Sequence, residues 1–192
     1  MKSVLFVCLG NICRSPLAEG VLQSLLTQYQ VDSQVNVSSA AIKNYHIGKQ
    51  PDARAIITAQ KYGIDISRKT ARQIHIEDFD KYDYIIPMDN RNVESLHQLS
   101  GGNYDYKIKS LLKFYAPGVA IDEVSDPFHG TIEDFESLIP LLEYSCLYLL
   151  FTILKENNLA LKSDTSETIE YLLRLKRDYL YRITALSNRF QS

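Results

Sequence analysis

The chain opens on the apolar run Val4-Leu5-Phe6-Val7, which passes through Cys8 and a short polar loop into Ser15-Pro16. That is the pattern of a buried strand turning into a helix. Ser15 is placed to cap this helix, and Pro16 suits its first turn, where a missing N–H costs nothing. Leu17, Val21, Leu25 and Leu26 then recur at helical spacing as far as the high twenties. Val35-Asn36-Val37 alternates as a second strand and Ser38-Ser39-Ala40-Ala41 reads as a turn. Pro51-Asp52 opens a second helix that Gly63 closes. Tyr84-Ile85-Ile86-Pro87-Met88 is the third strand, and Asp89-Asn90 caps the helix carrying Val93, Leu96 and Leu99. After a break at Ser100-Gly101-Gly102-Asn103, a short strand is expected over Tyr106–Ile108. A long loop spans Ala116 to Gly130, and an apolar helix runs from Ile132 to Lys155.

Strands alternating with helices imply right-handed crossovers and a parallel sheet. The predicted fold is α/β: a three-layer, open twisted parallel sheet of about four strands with helices on both faces and a loop after strand 1 that binds phosphate. Asn157-Asn158 reads as a boundary, giving a domain over 1–157 and a helical extension over 158–192. The extension carries Ile169, Leu172, Leu173, Tyr179, Leu180, Ile183 and Leu186 on one stripe, with Arg174, Lys176, Arg177, Asp178, Arg182 and Arg189 largely off it. Such a stripe must bury itself, either on its own domain, in a homodimer or against a partner.

Composition narrows the class. With 192 residues, 45% of them hydrophobic, the chain can build a substantial core, and its formal net charge of -2 gives no general attraction to nucleic acid or anionic membrane. The three cysteines, Cys8, Cys13 and Cys146, form no disulfide framework and suit a reducing cytoplasm. Val4–Leu9 is shorter than a signal-peptide core, and the later apolar helix, broken by Glu143 and Lys155, is read as too short for a bilayer. His46, His75, His97 and His129 are isolated in sequence, so no metal site is expected. Nor is there a glycine-rich nucleotide loop with lysine.

The chemistry starts at Cys8. A loop of backbone amides leading into a helix N-terminus attracts anions. Arg14, six residues on, adds a guanidinium that can grip two phosphate oxygens. The same groups favour the thiolate of Cys8, a nucleophile facing bound phosphorus. Ser15 can donate to that sulfur, Asn11 can brace the loop, and Gly10 permits its turn. Leu9, Gly10, Asn11, Ile12, Cys13 and Ser15 are thus the candidate substrate-binding residues of the loop.

The string Val7-Cys8-Leu9-Gly10-Asn11-Ile12-Cys13-Arg14-Ser15-Pro16, leading into Leu17-Ala18-Glu19, closely resembles the signature of the low-molecular-weight protein tyrosine phosphatases. Residues 3 to 157 share the resemblance, with matches at Ser39-Ala40, Tyr45-His46-Ile47-Gly48, Pro51-Asp52, Ala71-Arg72-Gln73-Ile74 and Met88-Asp89. It implies that Ser39 and Asn11 tie the loop in place, that Tyr45 and Phe128 wall a slot for a phenyl ring, and that Met88-Asp89 lies near the rim. Phosphotyrosine-containing proteins are the implied substrates, and phosphocysteine chemistry needs no cofactor.

Hydrolysis of an aryl phosphate expels a phenolate, a poor leaving group unless it is protonated as it departs. Asp126, in Asp126-Pro127-Phe128-His129-Gly130, is the candidate acid, able to act afterwards as base toward water. The resemblance points to the same residue.

Two departures stand out. Lys69 occupies a position where the family commonly has a loop-bracing histidine, and Phe128-His129 replaces the adjacent tyrosines that some members phosphorylate. Cys13, at the far side of the loop, is a candidate disulfide partner protecting oxidised Cys8. Rival readings are a protein-arginine phosphatase, which typically carries threonine at the place of Ile12, and an arsenate reductase, which needs more cysteines than Cys146 supplies. A phosphocarrier and a phosphotyrosine-binding module with weak turnover complete the set.

Overall fold

The computed structural model of the protein describes residues 1–159 together with Arg174 and Arg177, both helical and exposed. The rest of the expected C-terminal helix lies outside the described residues. In chain order the elements are β1 (Lys2–Cys8), α1 (Arg14–Gln28), β2 (Val35–Ala41), α2 (Ala53–Lys61), α3 (Ile76–Lys81), β3 (Tyr84–Pro87), α4 (Asn90–Ser100), a 3₁₀ turn (Asp105–Lys107), α5 (Leu111–Tyr115) and α6 (Ile132–Glu156).

The strands form an open parallel sheet in the order β2-β1-β3, with β1 central. Strand periodicity sorts its side chains between two cores. Val4, Phe6 and Cys8 enter the larger core with α1 and α6, whereas Leu5 and Val7 join Phe79, Ile85 and Leu96 on the opposite face. This alternation is what puts Cys8 on the α1 side, at the carboxyl end of the central strand. On that side α1 packs closely on α6, and Gly20 is where the chain needs no side chain: a Cβ there would lie 2.6 Å from Ile66 Cγ2 and 2.8 Å from Ile64 Cγ2.

Several expectations are corrected. Among the described residues the sheet has three strands, where about four are expected from the sequence. Near Tyr106–Ile108 the chain makes a single bridge, Ile85 to Ile108, because Asp105–Lys107 closes as a 3₁₀ turn and Leu111 already begins α5. Ser38–Ala41 is not a turn but the end of β2, where Ser39, Ala40 and Ala41 pair with Phe6, Val7 and Cys8. The parallel ladder with β1 satisfies the backbone of these residues, which a turn would leave to solvent. Helix α1 begins at Arg14, so Ser15 lies inside it and caps nothing, the N-cap position falling to Cys13. Helices α3 and α5 were not legible as separate elements. The remaining caps agree with the sequence: Asp52 accepts from Arg54 N–H, Asp89 accepts from Asn92 N–H, and Gly101 adopts the left-handed conformation after α4.

Helix α6 also departs from expectation. At 25 residues it is long and apolar enough, by length and composition, to cross a bilayer. Its apolar side chains, among them Phe135, Leu142, Leu147 and Leu150, are instead buried in the larger core.

Candidate active site

The loop from Cys8 to Arg14 is held in shape by Asn11. Its backbone is left-handed, φ 56°, a conformation in which asparagine is among the better-tolerated residues. Its N–H donates to Cys8 Sγ at 3.2 Å. Its side chain is fully committed: Nδ2 donates to Ser15 Oγ (2.9 Å) and Ser39 Oγ (2.7 Å), while Oδ1 accepts from Arg72 N–H (3.1 Å).

These bonds have a direction. Ser39 donates its own proton to Glu19 Oε2 at 2.6 Å, and therefore can only accept from Asn11. Ser15 likewise accepts from Asn11, which leaves its hydroxyl hydrogen for Cys8 Sγ, 3.0 Å away. Glu19 in turn is ion-paired with Lys69. Lys69 thus anchors a chain of polar contacts that runs through Glu19, Ser39, Asn11 and Ser15 to the sulfur.

Arg14 is 3% exposed and its guanidinium is shared among acceptors from distant parts of the chain. Nη1 donates to Asp89 Oδ2 (2.6 Å) and to the carbonyl of Val124 (3.0 Å), and Nη2 to Asp126 Oδ2 (2.7 Å). Burial alone would lower its pKa, but Cys8, Asp126 and Asp89 together raise it, so the cation is secure. Asp126 is more open, at 43% exposure, and its other oxygen accepts from Phe128 N–H at 3.2 Å.

Arg54 fixes the far end of the loop that carries Asp126. It donates to the carbonyls of Gly130 (2.6 Å) and Phe128 (2.9 Å), pairs with Asp52 (2.8 Å), and lies 4.7 Å over the Phe135 ring. Because Asp52 N–H also bonds to the Ile12 carbonyl at 2.8 Å, this strut ties the Asp126 loop to the Cys8 loop.

A cavity of about 470 Å³ opens above the sulfur. Of the residues singled out from sequence, Cys8, Leu9, Gly10, Ile12, Cys13, Arg14, Tyr45, Asp126 and Phe128 line it. Asn11 and Ser15 do not. They sit buried behind the loop, where they position Cys8. Cys13 is buried as well, and its thiol is pushed up, by burial first and by the nearby Asp52 carboxylate second. Tyr45 and Phe128 are well exposed at the mouth, as ring-binding walls would be.

Sequence reasoning missed His46, Arg91 and His129 as cavity residues. It also missed the Glu19 to Lys69 pair and the Arg54 strut. His46 packs so closely over the loop that a Cβ on Gly10 would lie 2.9 Å from its Cδ2, and its ring is 6.0 Å from that of Phe128. No local signal marked Arg91, Glu19 or Arg54, since each acts on a segment remote from it in sequence, whereas Lys69 and His129 stood out as departures from the resemblance.

Residues 3–160 match the family model for low molecular weight phosphotyrosine protein phosphatase. The chain is 38% identical over 159 residues to the low molecular weight protein-tyrosine-phosphatase YfkJ of Bacillus subtilis, covering 83% of this chain and 100% of that relative. It is 44% identical over 138 residues to the human low molecular weight phosphotyrosine protein phosphatase, covering 71% of this chain and 86% of the relative. Among solved structures, that of YfkJ superposes with a TM-score of 0.77 at 38% identity, over 81% of this chain and 96% of the other. A protein tyrosine phosphatase from Entamoeba histolytica, with Hepes in its active site, superposes at 0.78 and 31% identity, over 82% and 99%.

Proposed function

The chain belongs to the low molecular weight phosphotyrosine protein phosphatase family, and on that premise we propose that it hydrolyses phosphotyrosine in proteins through a phosphocysteine intermediate. It is a phosphoric monoester hydrolase. The observation that carries the finer reading is the convergence of Cys8, Arg14 and Asp126 on one cavity, with Ser15 as a donor 3.0 Å from the sulfur.

In the first step the Cys8 thiolate attacks phosphorus. A P–S bond forms as the P–O bond to the tyrosine oxygen breaks, and Asp126 transfers its proton to that oxygen. Arg14 and the loop residues Leu9, Gly10, Ile12 and Cys13 hold the phosphoryl group, charge that grows in the transition state being met by fixed donors, while Asn11 and Ser15 position Cys8 from behind the loop. Tyr45 and Phe128 flank the tyrosine ring. In the second step water attacks phosphorus and gives its proton to Asp126. Phosphate leaves, and the sulfur is again a thiolate held by Ser15. No cofactor takes part in either step.

The domain carrying this chemistry spans 1–157, and the extension over 158–192, most of it outside the described residues, serves self-association or partner docking. A buried, unpaired set of cysteines suits work in the cytoplasm.

The test is hydrolysis of a phosphotyrosine peptide beside a phosphoarginine peptide at mildly acidic pH, with Cys8→Ser and Asp126→Ala alongside. Tyrosine-selective turnover, abolished by the first change and reduced about 10²- to 10⁴-fold by the second, is expected. Binding without turnover, or selectivity for phosphoarginine, would overturn the reading.

A further inference from the structure

The groups at the mouth that the reaction does not use are basic. Arg91 comes from the first turn of α4, His46 from the segment after β2, and His129 from the loop that carries Asp126; all three line the cavity. Arg91 is exposed and makes no ion pair with any described residue. His129 is exposed as well, its ring set edge-on at 5.0 Å from Phe128. Lys43, also exposed, follows immediately outside, its N–H bonded to the Leu9 carbonyl at 2.9 Å.

Of the acids in the same region, Asp89 and Asp126 pair with Arg14 and Asp52 pairs with Arg54, while Glu123, which accepts from Asn90 N–H at 3.1 Å, does not line the cavity. The charge lining the mouth that has no ion pair with a described residue is therefore that of Arg91, on a chain whose formal net charge is -2. The dianionic phosphate itself is met by Arg14 and the loop. Arg91, at the rim with the two imidazoles, meets whatever flanks it.

We propose that Arg91, with His46 and His129, selects phosphotyrosine flanked by acidic residues. The inference rests on the phosphotyrosine reading above and names the peptide class that the site prefers. An extended peptide advances about 3.4 Å per residue, so residues one to three positions from the phosphotyrosine cross this rim. Rim charges act chiefly on encounter and on rejection of the wrong partner, and their effect weakens with salt.

The experiment compares kcat/KM for two phosphotyrosine peptides, identical except that the flanking positions carry glutamates in one and lysines in the other, with p-nitrophenyl phosphate as a substrate without flanks. The ratio of acidic to basic peptide is taken within each protein, so any general loss of activity cancels. Unaltered protein is expected to favour the acidic peptide by roughly tenfold at low ionic strength, falling toward parity at high salt. Arg91→Gln should reduce the ratio by about 3-fold and Arg91→Glu should bring it to unity or below. A ratio near unity in the unaltered protein, or one that Arg91→Glu leaves in place, overturns the proposal while hydrolysis persists. Absence of turnover on every substrate would instead overturn the phosphotyrosine reading on which it rests.

Discussion

Replacing Lys69 with methionine keeps the length of the side chain and removes the cation that faces Glu19. Glu19 is 14% exposed and Lys69 26%, so the carboxylate is left largely buried with Ser39 as its remaining side-chain donor. Breaking a buried pair costs about 3–5 kcal/mol, and partial solvent access at Lys69 brings the expected loss to about 1–3 kcal/mol. For a chain of this size that is a fall in Tm of roughly 3–9 °C. The consequence for the sulfur is separate. Asn11 Nδ2 can only donate and its amide is oriented by Arg72 N–H on Oδ1, so the direction of the bonds stands without Glu19; what Glu19 supplies, by accepting from Ser39, is the position of the amide that leaves the Ser15 proton for Cys8. A hydrogen bond to a charged group is worth about 1.5–3 kcal/mol, so Ser15→Ala, which deletes it, sets the ceiling at roughly 10- to 100-fold. Lys69→Met, which only loosens it, should forfeit about 1 kcal/mol, near fivefold. The assay is the rate of iodoacetamide alkylation of Cys8 across pH, read beside thermal melting. Lys69→Met should alkylate more slowly at a given pH below neutrality, and Lys69→Arg should restore the rate. A methionine variant that melts lower yet alkylates at the unaltered rate would refute the reasoning, because Lys69 would then be bracing the fold without acting on the sulfur.

Arg54→Met should destabilise the protein by about 1 kcal/mol near neutral pH. The Arg54 side chain bonded to Asp52, working against burial, holds that carboxyl below its ordinary value. Stability from the pair is thus present above the unfolded value near 3.9 and is lost as pH falls through the lower folded one, so the difference between the denaturant curves of the two proteins should shrink as pH falls through that range. Gly20→Ala should cost about 1–2 kcal/mol, the clash with Ile66 and Ile64 outweighing the gain in helix propensity, and a raised urea midpoint would contradict the packing described. Cys13→Ser should convert peroxide inactivation from reversible to irreversible, judged by recovery on adding thiol, and equal recovery in both proteins would remove Cys13 from any protective role.

Much of this architecture is legible along the chain because strands, caps and turns are local. The unbroken apolar run Val4–Cys8, the caps at Asp52 and Asp89, and the break at Gly101 each depend on residues within a turn or so of one another. The loop from Cys8 to Arg14 declares its chemistry for the same reason, as nucleophile, cation and helix start fall within a few positions. Local pattern misleads where the neighbour that matters is distant. Ser38–Ala41 has the composition of a turn but is held in the sheet by β1, and Tyr106–Ile108 has the composition of a strand but finds one bridge before α5 begins. Ser15 is a good cap by type, yet the helix starts ahead of it and its hydroxyl turns to the sulfur.

The sequence by itself determined the three paired strands and the helices α1, α2, α4 and α6, and it marked the candidate nucleophile, the candidate phosphate-gripping arginine and the candidate acid, because each is announced by the residues beside it. Tertiary structure alone decided that Arg14 meets Asp89 and Asp126 from 75 and 112 positions away, that Lys69 reaches Glu19 across 50, and that Arg91 shares a rim with His46 and His129. Those contacts depend on how β1 is flanked in the sheet and on where long loops return. That is a property of the packed chain, and no window of neighbouring residues encodes it.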